Sequence, residues 1–453
     1  MENLELTYEK KTVYERCDKS VIDAAYDYAV GYKAYIDAAK NERESVTEGI
    51  RMAEANGFVP YAFGDKLVKG GKYYYNNRGK NLFLFTIGTE DVSEGVRISV
   101  AHVDAPRIDL KQVPLFEEGG MSFFKTHYYG GIRKYQWVAT PLSLHGVIVK
   151  ADGEVVNVCV GEDEADPIFY INDLLPHLAA DYNSKPLGSA IAGEKLNVLV
   201  GSVKDEKSIK HNVLRLLNEK YGIVEEDFLS AELSLVPSAK ARDVGFDRSL
   251  IGAYGHDDRV CAYPALTSII ECADSAHTLM CILADKEETG SDGNSGMQCD
   301  LMLDLINEIA ASMGANPALV RANSKCLSAD VSACYDPNFP EVFEKNNTSL
   351  LNCGVVLTKY TGSRGKGGTN DASAEFIGWL RGVMAKDGVV WQSGELGKVD
   401  AGGGGTVAKF VSKHNIEVVD LGVPVISMHA PCEVISKVDL YEAHRAFCAF
   451  CKY

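Results

Sequence analysis

The chain has 453 residues, 46% of them hydrophobic, and a formal charge of −17. That is apolar material for a large core and length for two or three domains, or for one domain with a large insertion. The acidity excludes the basic patch that nucleic acid or an anionic membrane requires of a partner. No apolar run approaches the roughly 20 residues that span a bilayer. The start, Met1-Glu2-Asn3-Leu4-Glu5-Leu6, has no basic segment followed by an apolar one, so the chain reads as soluble and cytoplasmic.

Taken in order, Ser20 to Lys40 places Val21, Ala24, Ala25, Tyr28 and Tyr32 near helical spacing and predicts an amphipathic helix. A second helix begins near Asn41 and stops at Gly57. Val96-Arg97-Ile98-Ser99-Val100-Ala101 is a strand-like run that leads into His102. From about Pro106 to Gly245, strand-like runs such as Leu144-His145-Gly146-Val147-Ile148-Val149 alternate with turns, and no metal-ligand cluster occurs. This stretch reads as an insertion. From Tyr254 onward, helical segments alternate with short apolar runs, the pattern of a doubly wound α/β sheet. Within it, Thr278 to Leu283 runs almost into Glu287, Lys325 to Ser328 precedes Asp330, and Val423 to Met428 precedes His429. The run Gly402-Gly403-Gly404-Gly405 is followed by an apolar helix-like stretch, so it predicts a tight loop near an active site rather than a tether.

Five clusters carry the chemistry: His102-Val103-Asp104, Asp257-Asp258, Glu287-Glu288, Asp330 and His429. Two zinc ions sharing one water need nitrogen and carboxylate ligands, a carboxylate able to bridge, and a free carboxylate to take the water's proton. Singly, each cluster has a plainer reading: His-x-Asp as a surface turn, paired glutamates as a solvated loop, Asp257-Asp258 as a helix N-cap pair. Jointly they supply every role, and open α/β sheets gather such groups outside the carboxyl ends of their strands. His102 then binds metal while Asp104 fixes the imidazole or a neighbouring ligand from behind. Of Glu287 and Glu288, one coordinates while the other faces the water. His127, His145, His177, His211, His277, His414 and His444 lack comparable flanks and read as structural or exposed, and His256 beside Asp257 is ambiguous. The twelve cysteines, among them Cys261, Cys272, Cys281 and Cys353, read as reduced core residues. Cys448-Ala449-Phe450-Cys451 has CxxC spacing but no second pair, and is given no metal or redox role.

The order of these clusters, in the strings Ala101-His102-Val103-Asp104-Ala105-Pro106-Arg107, Asp285-Lys286-Glu287-Glu288-Thr289-Gly290-Ser291, Ser328-Ala329-Asp330 and Ser427-Met428-His429-Ala430-Pro431, resembles the aspartyl aminopeptidase family of dinuclear zinc exopeptidases nearly end to end. The resemblance implies that His102 and Asp330 hold one zinc, Glu288 and His429 the other, and that Asp257 bridges. Glu287 becomes the general base and Asp104 the orienter of the first site. Where Asp258 stands the family usually has asparagine, so either aspartate could have been taken as the bridge, and Asp257 aligns with the family's ligand. The resemblance also implies an α/β fold, a doubly wound mixed sheet with helices on both faces, interrupted by a β-rich domain. The catalytic domain then covers 1–106 and 246–453, and the insertion, 107–245, serves oligomerisation or substrate access. Subunits of the family assemble into a tetrahedral dodecamer that admits peptides. Two departures bear on substrate. Eukaryotic members carry a histidine where this chain has Ala333, and their acidic-substrate pocket pairs a lysine, matched by Lys359, with a tyrosine that Gly362 to Gly368 lacks. The preference for N-terminal Asp or Glu is left open by these residues. Gly403 and Gly404 complete the expected substrate-binding set.

The reading expected from the sequence is a metalloaminopeptidase with two zinc ions per subunit, cobalt or manganese being alternatives, acting on short peptides with a free N-terminus. Its rivals are a zinc amidohydrolase of N-acyl amino acids and a non-catalytic peptidase-like assembly. A spare base at Glu287 has no use in the latter.

Overall fold

The computed structural model describes residues 6–453; Met1 to Glu5, part of the start read above as lacking a leader, lie outside them. Nine strands form the central sheet, in the order Val59–Pro60, Lys72–Asn77, Asn81–Thr86, Thr278–Ala284, Val96–His102, Lys325–Ser328, Glu417–Gly422, Val355–Thr358 and Trp391–Ser393. The four from Thr278–Ala284 to Glu417–Gly422 run parallel, in a register that sets His102 beside Ala284 and Ser328 beside Val100. Asn81–Thr86 and Val355–Thr358 pair with them antiparallel, so the sheet is mixed.

Side-chain alternation along Thr278–Ala284 shows how both faces are covered. Leu279, Cys281 and Leu283 share a core with the helices Lys19–Ala38, Glu42–Glu54, His256–Glu271 and Lys437–Lys452. Met280, Ile282 and Ala284 share another with Leu301–Ser312, Pro317–Asn323 and Ala408–Ser412. The doubly wound arrangement expected from the sequence is present, and burial on both faces explains why Val96–His102 is buried from end to end. The first helix buries Ala25, Ala29, Tyr32, Tyr35 and Ile36. The second begins at Glu42 because the Asn41 side chain accepts the Glu44 N–H and satisfies an orphan donor of the first turn.

A second sheet of seven antiparallel strands is built wholly between Arg107 and Pro237, around Phe124, Trp137, Leu142 and Leu235. It is joined by one longer helix, Ile209–Tyr221. Polar contacts dock it on the helix Glu42–Glu54 and on the residues that lead into it. Arg107 pairs with Glu42 at 2.8 Å, and His145 sits between Glu44 at 2.6 Å and Glu162 at 3.1 Å. Lys40 donates to the Pro237 carbonyl at 2.8 Å.

A third sheet runs Arg242–Val244, Leu250–Ala253, Glu433–Ser436, Pro424–Ile426 and Ser332–Ala333. Two sequence expectations change here. Arg242–Val244, placed at the end of the insertion, pairs with Leu250–Ala253 instead. The apolar run before His429 does not end a central strand. The chain leaves the central sheet after Gly422, and Pro424–Ile426 joins the third sheet, because an apolar run specifies burial and not the sheet that buries it. Among the described residues, no helix is long and apolar enough to cross a membrane.

Candidate metal centre

The central sheet delivers His102 at the end of its own strand, Glu287 and Glu288 just beyond Thr278–Ala284, and Asp330 two residues beyond Lys325–Ser328. The third sheet delivers the rest. Asp257 opens the helix that follows Leu250–Ala253, and His429 lies between Pro424–Ile426 and Glu433–Ser436. Asp257 sits in the first turn of that helix, joined to Asp258 by a cis peptide bond, but its carboxylate is turned to the imidazoles instead of capping the helix.

Two triads share Asp257: His102, Asp257 and Asp330, and Asp257, Glu288 and His429. In each, one donor atom per residue falls within 4.8 Å of the others. The two oxygens of Asp257 face different imidazoles, Oδ1 at 3.1 Å from His102 Nε2 and Oδ2 at 3.0 Å from His429 Nε2. Glu288 Oε1 is 3.5 Å from His429 Nε2, and Glu287 Oε2 is 4.0 Å from His102 Nε2. Donors on one tetrahedral zinc, with bonds of about 2.0 Å, stand about 3.3 Å apart, so these spacings fit ions held on either side of Asp257. Buried Asp257 Oδ1 and Glu288 Oε1 have no hydrogen-bond donor, which is the state of a lone pair left for a cation.

Both imidazoles are held in the tautomer that frees Nε2. His102 Nδ1 donates to the Asp104 carbonyl at 3.0 Å, and His429 Nδ1 donates to the Gly131 carbonyl at 2.8 Å. The Asp104 carboxylate, fully buried, accepts the N–H groups of Glu287 and Glu288, each at 3.2 Å, and the Tyr129 hydroxyl at 2.8 Å. It thereby fixes the loop that carries the paired glutamates. Asp258 accepts the His102 N–H at 3.2 Å, so it positions that residue's backbone while Asp257 faces the imidazoles.

Sequence reasoning missed three contributors. Glu433, 1% exposed, accepts the His429 N–H at 2.7 Å and the Asp257 N–H at 3.1 Å, tying the third sheet's two contributions together. Tyr129 and Gly131 arrive from the second sheet, and no spacing in the chain signals either. A Cβ at Gly131 would come within 3.3 Å of His429 Nδ1, so the bare glycine lets the backbone reach the imidazole.

The charges are tightly set. Burial pulls the His102 imidazole down, but Asp104 and Asp257 outweigh it and lift it well above its ordinary value. His429 rises to about 10, with Asp257 outweighing burial. Burial pushes Asp330 well up, with Asp258 adding to it. Glu287 is pushed up to about 7, first by burial and then by Asp257 and Asp104, against the pull of His102. This surplus of buried carboxylates over imidazoles suits multiply charged cations.

A cavity of about 470 Å³ opens over the centre, lined by Asp257, Glu287, Glu288, Asp330, Met428 and His429 on one side. Gly403, Gly404, Thr406, Lys409, Phe410 and Asp420 extend the wall. Gly403 and Gly404 thus line this cavity. Gly403 has φ 108°, and a Cβ there would strike Ser363 Cα at 2.5 Å. Lys359 is not brought to the cavity. Its ammonium pairs with Asp371 and donates to the Ala372 carbonyl at 2.8 Å, and the lysine on the cavity wall is Lys409. His256 is a core residue, accepting from the Tyr32 hydroxyl at 2.6 Å and donating to the Ile251 carbonyl at 3.1 Å.

A mixed α/β sheet that gathers paired imidazoles and carboxylates at its strand ends, beneath an open cavity, is the scaffold of a zinc-dependent peptidase. Comparison with known proteins specifies it. Residues 35–451 match the family of aminopeptidase I zinc metalloproteases (M18). The probable M18 family aminopeptidase 1 of Clostridium acetobutylicum is 47% identical, covering 98% of this chain and 99% of that protein. The crystal structure of an M18 aminopeptidase from Thermotoga maritima superposes with a TM-score of 0.94 at 40% identity, covering 98% of this chain and 100% of its own. The chain belongs to the M18 family and is a zinc aminopeptidase. A yeast mApe1 dodecamer, 22% identical over 94% of this chain and 97% of its own, with a TM-score of 0.78, shares the fold.

Proposed function

We propose that the chain releases the N-terminal residue of short peptides with a free amine, using two zinc ions per subunit that share Asp257. His102 and Asp330 complete one site, Glu288 and His429 the other. The observation that carries this reading is the Asp257 carboxylate, whose two oxygens each face a different imidazole. Bound zinc supplies Lewis acidity toward the scissile carbonyl and lowers the pKa of a water toward about 7. Glu287 takes the proton of the attacking water and delivers it to the leaving amine. Burial, then Asp257 and Asp104, raise that carboxyl in the metal-free chain, and bound zinc would favour the ionised form that accepts the proton. Asp104 holds Glu287 in place through the backbone. The carboxylates on the cavity wall, including buried and unpartnered Asp420, complement a substrate ammonium. With Lys359 engaged by Asp371, and with Lys409 sharing the wall with Asp420, the reading favoured here is a broad preference rather than one for Asp or Glu.

Residues 107–237, which build the second sheet, are inferred to act as an inserted domain for assembly and substrate access. The second sheet and its connections expose Val113 at 68%, Val155 at 57% and Leu178 at 66%, apolar surface that a neighbouring subunit would cover. By likeness to the yeast mApe1 dodecamer, which shares this fold, a dodecamer is inferred here, and light scattering tests its mass.

The deciding assay uses free and N-acetylated dipeptides on metal-depleted protein reloaded with zinc. Cleavage confined to free amines is expected, and cleavage of acetylated substrates alone would overturn the reading. Glu287→Ala is expected to lower kcat by about a hundred- to ten-thousand-fold while zinc content stays unchanged.

A further inference from the structure

The CxxC at the chain's end finds its partners on another helix. His444 and Cys448, four residues apart, share one face of Lys437–Lys452 and meet the carboxyl end of His256–Glu271. Three donor atoms converge there, from Glu271, His444 and Cys448, all within 4.8 Å of one another. His444 Nε2 is 2.9 Å from Glu271 Oε2 and 3.5 Å from Cys448 Sγ. A thiolate sulfur and an imidazole nitrogen on one tetrahedral zinc, with bonds of about 2.3 and 2.0 Å, lie about 3.5 Å apart.

The hydrogen bonds behind His444 set its tautomer. The Thr267 hydroxyl donates to the Tyr263 carbonyl at 2.9 Å, so it accepts from Tyr28 and from His444 Nδ1, at 2.7 and 2.9 Å. A proton therefore sits on Nδ1, and Nε2 faces the Glu271 carboxylate and the Cys448 thiol, where it either donates to the carboxylate or offers its lone pair to a cation. A neighbouring thiol, Cys272, donates to the Cys448 carbonyl at 3.8 Å. His444 and Cys448 are buried while Glu271 is exposed, which leaves an entry path from solvent. Glu271 is the last residue of its helix, an end that favours positive charge.

We propose that Glu271, His444 and Cys448, with Cys272 adjacent, form a third metal site for a thiophilic divalent ion of the zinc class, clamping the C-terminal helix to the helix that carries Asp257. On binding, the Cys448 thiol loses its proton to solvent and no redox step occurs. The alternative is a plain His444–Glu271 ion pair that takes no metal.

The two kinds of site are separable by spectrum, because the donors around Asp257 include no sulfur. Fully reduced protein is titrated with Co²⁺ and the near-ultraviolet thiolate-to-metal band is recorded beside peptidase activity. The band is expected in the wild type, to be absent in Cys448→Ser, and to require at least tenfold more Co²⁺ in Glu271→Gln, an exposed position that leaves the fold intact. Activity is expected to be unchanged in Glu271→Gln. A wild-type protein saturated with Co²⁺ and lacking the band overturns the proposal, and so does a band of equal size and midpoint in both variants.

Discussion

Tyr129 touches no candidate ligand directly, yet its hydroxyl holds the carboxylate that fixes the glutamate loop and the His102 carbonyl partner. Tyr129→Phe removes that bond and the longer one its hydroxyl accepts from Thr289 at 3.5 Å, and keeps the ring over which Arg107 stacks at 4.2 Å. Such supporting contacts are worth about 10–100-fold in activity or metal affinity. The expected outcome is a kcat lowered by about tenfold with near-normal KM, measured on the dipeptide that the wild type cleaves best. A matching loss of zinc would instead assign Tyr129 to ligand placement. At this scale the sequence exposed the donors, because His, Asp and Glu in short flanked strings are visible one at a time. Lys359 shows the limit: its partner Asp371 lies twelve positions away in a loop, and nothing in the chain says which way the ammonium turns.

The second sheet meets the helix Glu42–Glu54 and the segment before it through His145, Glu44, Glu162 and Lys40. Burial opposes protonation of His145, but bonds to Cys159, Glu162 and Glu44 lift it to about 11. Its stabilising contribution is thus complete below the ordinary value of 6.5 and is lost as pH rises toward 11. Burial of Glu162 is outweighed by His145 and Lys240, which hold its carboxyl below the ordinary 4.5. That contribution is present above 4.5 and is lost on acidification. The contact is therefore strongest between the two ordinary values. His145→Ala is expected to reduce the unfolding free energy by about 2–3 kcal/mol in that window, somewhat less than for a fully buried pair because Glu44 keeps contact with water. Denaturant unfolding at several pH values checks both size and window. The sequence marked His145 only as structural or exposed, and its partners come from elements about a hundred residues apart.

Metal removal acts on the molecule as a whole. Without cations, Glu287 sits at about 7 and Glu433 at about 8, both raised first by burial and further by Asp257. Raised carboxyls stabilise the fold only while protonated, so their contribution is full below the ordinary 4.5 and lost as pH climbs through 7 to 8. Chelated protein is expected to show a Tm that falls steadily over that range. Zinc-loaded protein is expected to be free of that fall, since cations favour the ionised carboxylates. Paired thermal melts with and without chelator give the comparison.

The sequence by itself determined the α/β class, the span of the strands that end at His102 and before Glu287 and Asp330, and the identities of the residues that meet at Asp257. Apolar periodicity and flanking donors are local properties, and they survive in a one-dimensional reading. Tertiary structure alone decided that Asp257 and His429 come from a third sheet, that Glu433, Tyr129 and Gly131 hold them in position, that Lys409 rather than Lys359 lines the cavity, and that Cys448 meets Glu271. Those choices depend on which buried surfaces pack together, and that is settled by shape and by satisfied hydrogen bonds across the whole chain.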